Sequence, residues 1–186
     1  GLIELEKVTK ITGARFSYLM GDLARMEFAL VQFALDSLSQ KGFIPVVPPV
    51  MIKPEVMERM ARLEPKEERY YIPQADLYLV GSAEHTLGPL HMDETLNEKN
   101  LPIRYVGFST SFREEAGSYG KDTRGILRMH QFDKVEMESF SLPEEGLKEQ
   151  DFFVSIQEEL MQSLKVPYQV VQICTGDMGG PDFRQI

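Results

Sequence analysis

Cysteine is all but missing from this chain: Cys174 stands alone among 186 residues. One cysteine excludes an intrachain disulfide framework and any cysteine-built zinc site. Beside a predicted strand it reads as a small core residue rather than a nucleophile. Histidine is nearly as scarce; His85, His91 and His130 are too scattered to form a ligand set, and each reads as a surface or supporting side chain. No apolar run approaches the ~20 residues that span a bilayer. No charged-then-apolar leader opens the chain, which sets the expectation of a soluble, cytoplasmic protein with no membrane partner. Cations are the minority charge: 20 Lys and Arg against 29 Asp and Glu leave a formal charge of −9. So acidic a chain is a poor nonspecific binder of nucleic acid, and an RNA partner would need a local patch or another domain. Repeats and low-complexity tracts are absent too. What remains, with 42% hydrophobic residues, is enough for one domain with a sizeable core.

Against this background one short stretch differs. Phe112 to Glu136 reads FREEAGSYGKDTRGILRMHQFDKVE. From Arg104 to Lys134 there are six Lys or Arg against four Asp or Glu, a local excess of two positive charges. Gly117, Gly120 and Gly125 permit left-handed backbone and close approach. Arg113, Lys121, Arg124 and Arg128 line the same loop. A small basic island in an acidic chain suggests a compact anion, and a polyphosphate fits better than a nucleic-acid backbone.

The flanking pattern is read coarsely. Residues 1–20 have mixed character and read as a linker. Asp22 is a suitable N-cap, and Leu23, Met26, Leu30, Phe33, Ala34 and Leu38 fall at helical spacing. Lys41 and Gly42 mark the helix end. The run FIPVVPPVMI is a strand that Pro48 and Pro49 confine to an edge or terminate. Pro54 opens a short helix through Arg62. Tyr70–Ile72 and Leu77–Val80 read as a hairpin, and 82–92 as a weaker helix. Strands are predicted over 103–111, 128–140 and 168–174, and a helix over 149–165. Asp177 reads as a turn residue. Met57, Met60, Met129, Met137 and Met161 read as core filler. Hairpins dominate, so the expected fold is α+β: a mostly antiparallel sheet flanked by helices.

Strand alternation makes the last part of the basic stretch a candidate site. Arg128, His130, Phe132, Lys134, Glu136 and Glu138 would share one face. Such a row suits the floor of a ligand pocket. Arg128 can neutralise phosphate, Phe132 can stack on a base, and Glu136 can receive an ammonium or hydroxyl. A solvated strand face with cross-strand ion pairs is the plain alternative. Arg113 and Glu115 stand where the preceding strand enters the loop. The arginine can clamp a phosphoryl group or carboxylate, and the acid can accept from a ribose, an amine or a metal-bound water. A surface ion pair is the alternative for these two. Glu114 is expected to face solvent.

At these residues the chain resembles motif 2 of the class II aminoacyl-tRNA synthetases, most closely the seryl-tRNA synthetase version. TGARFSYLMGDLARMEFALVQFALDSLSQKGFIPVVPPVMI is similar to that family's motif 1 region, here 21–52. DLYLVGSAEHTL is similar to its serine-recognition segment, and LPIRYVGFSTSF to the strand leading into motif 2, so that 101–140 would be the motif 2 hairpin. PYQVVQICTGDMGGPDFRQ is similar to the strand and loop before motif 3. Five segments in collinear order cover almost the whole chain, so that 1–186 reads as part of a class II catalytic core.

The resemblance implies roles by position. Arg113 would be the catalytic arginine that binds the ATP α-phosphate and the substrate carboxylate, with Glu115 the acid on the nucleotide side. Arg128 would serve the phosphates, and Met129, His130, Gln131 and Phe132 would line the adenine pocket. Ser82, Glu84, Arg113 and Glu136 would bind serine, Ser82 replacing the family's threonine and losing a methyl. ATP and Mg²⁺ are the implied cofactors, with metal ligands unknown. L-serine, tRNA(Ser) and a homodimer partner at the motif 1 region are the implied partners. The family's tRNA-binding arm would precede Gly1 and its motif 3 would follow Ile186, so weak or absent aminoacylation is expected of this stretch alone. Two other readings stay open. A synthetase-like paralogue could load a small amino acid on a carrier protein, or a non-catalytic nucleotide-binding or dimerising module could keep the fold.

Overall fold

The opening of the chain, expected as a linker, is folded. The computed structural model describes residues 1–115 and 125–186. In it Ile3–Glu4 (β1) pairs antiparallel with Tyr18–Leu19 (β2), and a one-turn helix, Glu6–Thr9 (α1), lies between them. Val8 is buried there, which gives this stretch an apolar reason to pack. Gly117, Gly120, Lys121 and Arg124 of the basic loop lie outside the described residues.

The long helix Asp22–Ser39 (α2) follows. Asp22 is its first helical residue rather than its cap; Gly21 takes the cap at φ 59°. Asp22 still contributes, because an anion in the first turn opposes the helix dipole. Gly42 ends the helix as expected. Its φ is 87°, and the Gly42 and Phe43 amides bond back to the Ser39 and Leu38 carbonyls.

Pro48 and Pro49 split the next run between two sheets. Ile44–Val46 (β3) lies at the edge of one sheet, parallel to Ile103–Phe112. Met51–Ile52 (β4) joins another, antiparallel to Leu77–Leu79. A proline has no N–H to offer a ladder, so neither sheet can run through the pair. Pro54–Arg59 (α3) is a short helix with proline in its first turn. The expected hairpin forms from Tyr71–Ile72 (β5) and Leu77–Leu79 (β6), with Tyr71 opposite Tyr78. Ile52, Met57, Leu63, Tyr78 and Val80 pack together as the core of this region. Glu84–Leu87 (α4) and a 3₁₀ turn at Gly88–His91 replace the single helix read over 82–92.

Ile103–Phe112 (β7) and Gln131–Phe140 (β8) are neighbours in the sheet ordered β3-β7-β8. Thr110 bonds Asp133, while Arg113 bonds His130. The partners run in opposite directions along the chain, as antiparallel pairing requires. β8 begins three residues later than expected, so Arg128 and His130 precede the strand instead of sharing its face.

The chain divides into two compact units, Gly1–Met92 with Tyr105–Glu138, and Asp93–Arg104 with Ser139–Ile186. The second contains the helix Gly146–Ser163 (α5), whose Ile156 is buried. Glu149 on α5 accepts two bonds from Arg104, at 2.7 and 2.6 Å, and one from Ser139 at 2.7 Å. The Arg104 guanidinium also lies over the Phe152 ring, 4.8 Å from its centroid. The strand expected over 168–174 does not form: Val170 and Val171 are exposed, and this stretch has no ladder partner among the described residues. Without that strand Cys174 is exposed rather than a core residue. Asp177 does sit in a turn, its amide bonded to the Cys174 carbonyl.

Candidate active site

Backbone pairing fixes the site before any side chain does. The core under β6 holds Val80, and the Val80 carbonyl accepts the Phe112 amide at 2.8 Å. This bond joins the end of β6 to the end of β7, so Gly81 and Ser82 emerge beside Arg113. The Arg113 amide then donates to the His130 carbonyl at 2.9 Å, bringing the start of β8 to the same place. Close approach from the other side needs small residues. A Cβ at Gly107 would collide with the Leu87 and Ala83 side chains of the 83–87 turn.

Ser82 is a hub. Its hydroxyl donates to Glu136 Oε2 at 2.7 Å and accepts from Lys134 Nζ at 3.0 Å and from the Glu84 amide at 3.2 Å. One donor and two acceptor sites are the full capacity of a hydroxyl. Lys134 and Glu136 also form an ion pair with each other. Glu84, on the same turn, is held by Arg62 through Nε at 2.8 Å and Nη2 at 2.7 Å. Lys134, Glu136 and Glu138 alternate along β8, so Glu138 lies on the same face.

Arg113 ties this cluster to a second one. Its Nε donates to the Gly81 carbonyl at 3.1 Å, while its guanidinium lies 5.2 Å from the centroid of Phe132. Arg113, Glu115, Arg128, Met129 and Phe132 line a cavity of about 370 Å³ together with Ile126 and Leu127. Glu115 is not an exposed partner of Arg113: its carboxylate accepts from Arg128 at 2.6 Å and its side chain is only 12% exposed. Its φ of 53° is unusual for a residue with a Cβ. The Arg15 guanidinium donates to its carbonyl at 3.2 Å and so holds the bend in place.

His85 and Glu138 carry perturbed protonation beside this cluster. Burial, then the cations Arg69, Arg113, Arg62 and Lys134, push the His85 imidazole down to about 3. It is neutral, and its Nδ1 accepts from the Gly81 amide at 3.1 Å. His85 is therefore an internal prop rather than a surface histidine. Burial, then Glu84 and Glu136, raise the Glu138 carboxyl to about 8 against the opposing pull of Arg62 and Lys134.

The residues named from sequence fall into three groups. Ser82, Glu84 and Glu136 come together in the polar cluster. Arg113, Glu115, Arg128, Met129 and Phe132 meet at the cavity. His130 and Gln131 do not line it. The His130 ring instead faces Phe16 and Tyr70, with Nδ1 2.9 Å from the Arg113 carbonyl. Gln131 borders a different cavity, of about 480 Å³, beside Phe16, Glu27 and Asp133. Glu114 does not simply face solvent, because Tyr70 hydrogen-bonds to it, and burial with that carboxylate pushes the Tyr70 phenol up to about 12. Sequence reading gave no role to Arg62 and Arg15, and placed Lys134 and Glu138 on a face without one. Alternation from Glu136 carried the signal for the latter two; nothing in local sequence pointed to the former.

Comparison with known proteins fits this geometry. The family described as tRNA synthetase class II core domain (G, H, P, S and T) matches residues 68–182. The serine–tRNA ligase of Thermococcus gammatolerans is 48% identical over 177 residues, covering 95% of this chain and 39% of that protein. The chain thus spans about two fifths of the length of the curated relatives it matches. The crystal structure of seryl-tRNA synthetase from Pyrococcus horikoshii complexed with ATP superimposes with a TM-score of 0.95 at 44% identity, over 98% of this chain and 41% of that one. The cytoplasmic serine–tRNA ligase of Naegleria fowleri in complex with AMP gives 0.94 at 35% identity, over 98% of this chain and 43% of that one. The α+β architecture is that of those catalytic cores. With more than half of its length matched, the chain belongs to the tRNA synthetase class II core domain family.

Proposed function

We propose that this chain is the core of a serine–tRNA ligase, which activates L-serine with ATP and passes the seryl group to tRNA(Ser). The observation that carries the reading is the junction at Gly81–Ser82. A hydroxyl–carboxylate–ammonium network suited to a small polar amino acid lies on one side, and the Arg113–Phe132 pair suited to a nucleotide lies on the other.

In this reading Phe132 stacks on adenine and Arg113 spans the α-phosphate and the serine carboxylate. A carboxylate oxygen attacks the α-phosphorus in line, forming the acyl–phosphate bond. The α–β bridging bond breaks and pyrophosphate leaves with its electron pair. No protein nucleophile is needed. Holding two anions against each other is the main barrier, and a fixed guanidinium lowers it by orientation and charge neutralisation. Glu136 and Ser82 receive the serine hydroxyl and Glu84 its ammonium. Glu115 keeps Arg128 aimed at the phosphates, Met129 closes the adenine side, and His130 and Gln131 support that stretch from behind. Among the described residues no three His, Cys, Asp or Glu side chains gather as a metal site. Mg²⁺, when bound, would supply charge neutralisation at the phosphates, and every role above is carried by this chain's own residues. No helix among the described residues is long and apolar enough to cross a membrane.

The test is amino-acid-dependent exchange of pyrophosphate into ATP by the complete protein that carries this stretch, followed by charging of tRNA. Exchange with serine, and charging of tRNA(Ser), is expected. Exchange without charging favours a carrier-loading paralogue, and no exchange with any small amino acid overturns the enzyme reading.

A further inference from the structure

Ser82 is saturated, but the two charged groups beside it are not. Its hydroxyl gives its one donor to Glu136 Oε2 and takes Lys134 Nζ and the Glu84 amide at its two acceptor positions. It can meet a ligand only by giving up one of these bonds. Lys134 directs its ammonium to the same oxygen, Glu136 Oε2, and to Ser82. An ammonium has three donors, so one N–H stays unused among the described residues. Glu136 Oε1 likewise accepts nothing there, because both contacts to this carboxylate fall on Oε2. The Lys134 and Glu136 side chains are 33% and 24% exposed, so a ligand can reach both. They stand two residues apart on one face of β8, with Phe132 two residues before Lys134 on the nucleotide side. An open donor beside an open acceptor is complementary to a hydroxyl, which accepts and donates at a single oxygen. The pair is mismatched to a methyl, which would leave both polar groups without partners. It is mismatched also to a second ammonium, which only donates and which Lys134 repels.

We propose that Lys134 is a specificity-determining residue that touches the substrate: its third N–H donates to the serine hydroxyl oxygen, while Glu136 Oε1 accepts from that hydroxyl. This rests on the serine–ATP reading above and deepens it, because the side-chain end of the substrate then has two readers of opposite sense. Glu136 alone would take an ammonium at least as well as a hydroxyl, since a charged donor makes the stronger bond to a carboxylate. Lys134 turns an acid pocket into a hydroxyl pocket by refusing the cation as well as by binding the oxygen. Its contacts with Glu136 and Ser82 hold the ammonium in place before the substrate arrives, so little side-chain freedom is lost on binding.

The measurement compares L-serine with L-2,3-diaminopropionate, which carries an ammonium where serine has its hydroxyl, at mildly acid pH where both its amines are protonated. The KM for serine and the inhibition constant of the analogue are read in pyrophosphate exchange by the complete protein. The unmodified protein should bind the analogue at least about tenfold more weakly than serine. Lys134→Met keeps the length of the side chain without its charge. It should raise the KM for serine by about 10–100-fold, the factor carried by one hydrogen bond to a charged group, with a smaller change in kcat. The same variant should bind the analogue about tenfold more tightly, so that the preference reverses. A lysine that only props Glu136 would weaken both ligands equally, and that result overturns the inference. So does an analogue that binds the unmodified protein as tightly as serine, a comparison that decides the matter even if the variant fails to fold. A change confined to the KM for ATP would give Lys134 to the phosphates instead and overturns it too. In all three cases serine-dependent exchange by the unmodified protein persists; its absence overturns the serine–ATP reading and this inference with it.

Discussion

Arg113 joins both halves of the site, and its removal should separate function from folding. The side chain gives one bond to the Gly81 carbonyl and lies over Phe132. Losing that bond costs about 1 kcal/mol of stability, because the backbone pairing that places Gly81 does not involve the guanidinium. Losing the charge that, in the proposed reading, faces two anions costs about 10²–10³-fold in rate. Arg113→Ala should therefore abolish most serine-dependent exchange while shifting the urea midpoint little; equal losses in the two would contradict a role at the reacting atoms. Protonation at His85 and Glu138 should shape stability in opposite senses. His85 falls from 6.5 to about 3 on folding, so the unfolded chain takes up the proton first and stability is lost as pH falls from 6.5 toward 3. Glu138 rises from 4.5 to about 8. The folded chain keeps that proton longer, and stability is lost as pH rises from 4.5 toward 8. Each slope is at most about 1.4 kcal/mol per pH unit, and between 4.5 and 6.5 the two cancel. Urea unfolding should show a plateau there with a decline on either side. Glu138→Gln should remove the alkaline decline and His85→Gln the acid one. Neither protonation state was legible in sequence, since burial from distant elements sets both.

Among the elements, the contact between β7 and the turn at 83–87 is one that a single atom can break. Gly107 lies opposite Leu87 and Ala83, where a Cβ has no room. Gly107→Ala should destabilise the chain by about 1–3 kcal/mol through overpacking, and Leu87→Ala in the same chain should recover part of it, a coupling that a double-mutant cycle measures. Additive losses would mean that β7 simply shifts away. The elements that sequence revealed are those whose signal is local: the α2 stop at Gly42, the proline break at Pro48–Pro49, the β5–β6 hairpin, and alternation from Phe132 to Glu138. Those it missed depend on remote partners. Tyr168–Cys174 has strand composition, but a strand exists only beside another strand, and none of the described residues supplies one. The opening twenty residues lack a clear period, yet Arg15 supports the bend at Glu115 and receives the His130 amide. Starting β8 at Arg128 put His130 on the pocket face; the bend before Gln131 turns that ring toward Phe16 instead.

At the scale of the whole molecule, α2 carries large apolar side chains that the unit containing it leaves exposed. Phe28 is 67% exposed and Met26 51%. Phe28 borders the cavity of about 480 Å³, and Met26 one of about 340 Å³ with Leu19, Leu23, Leu30 and Val31. Large apolar side chains left exposed together on one element mark an interaction site more often than chance exposure does. The likeness of 21–52 to motif 1 makes a second copy the proposed occupant, joined through a two-fold axis. Such an interface contains every residue twice. Phe28→Asp would forfeit about 1.5–3 kcal/mol of apolar burial per copy, hence about 3–6 kcal/mol per dimer and about 10²–10⁴-fold in dissociation constant. Sedimentation of the complete protein should show a dimer, and Phe28→Asp should move the midpoint of dissociation upward by that factor, with serine-dependent exchange falling as monomer accumulates. An unchanged dissociation constant would place the dimer contact elsewhere. A monomer with full exchange would show that the site assembled by β6, β7 and β8 works without a second copy.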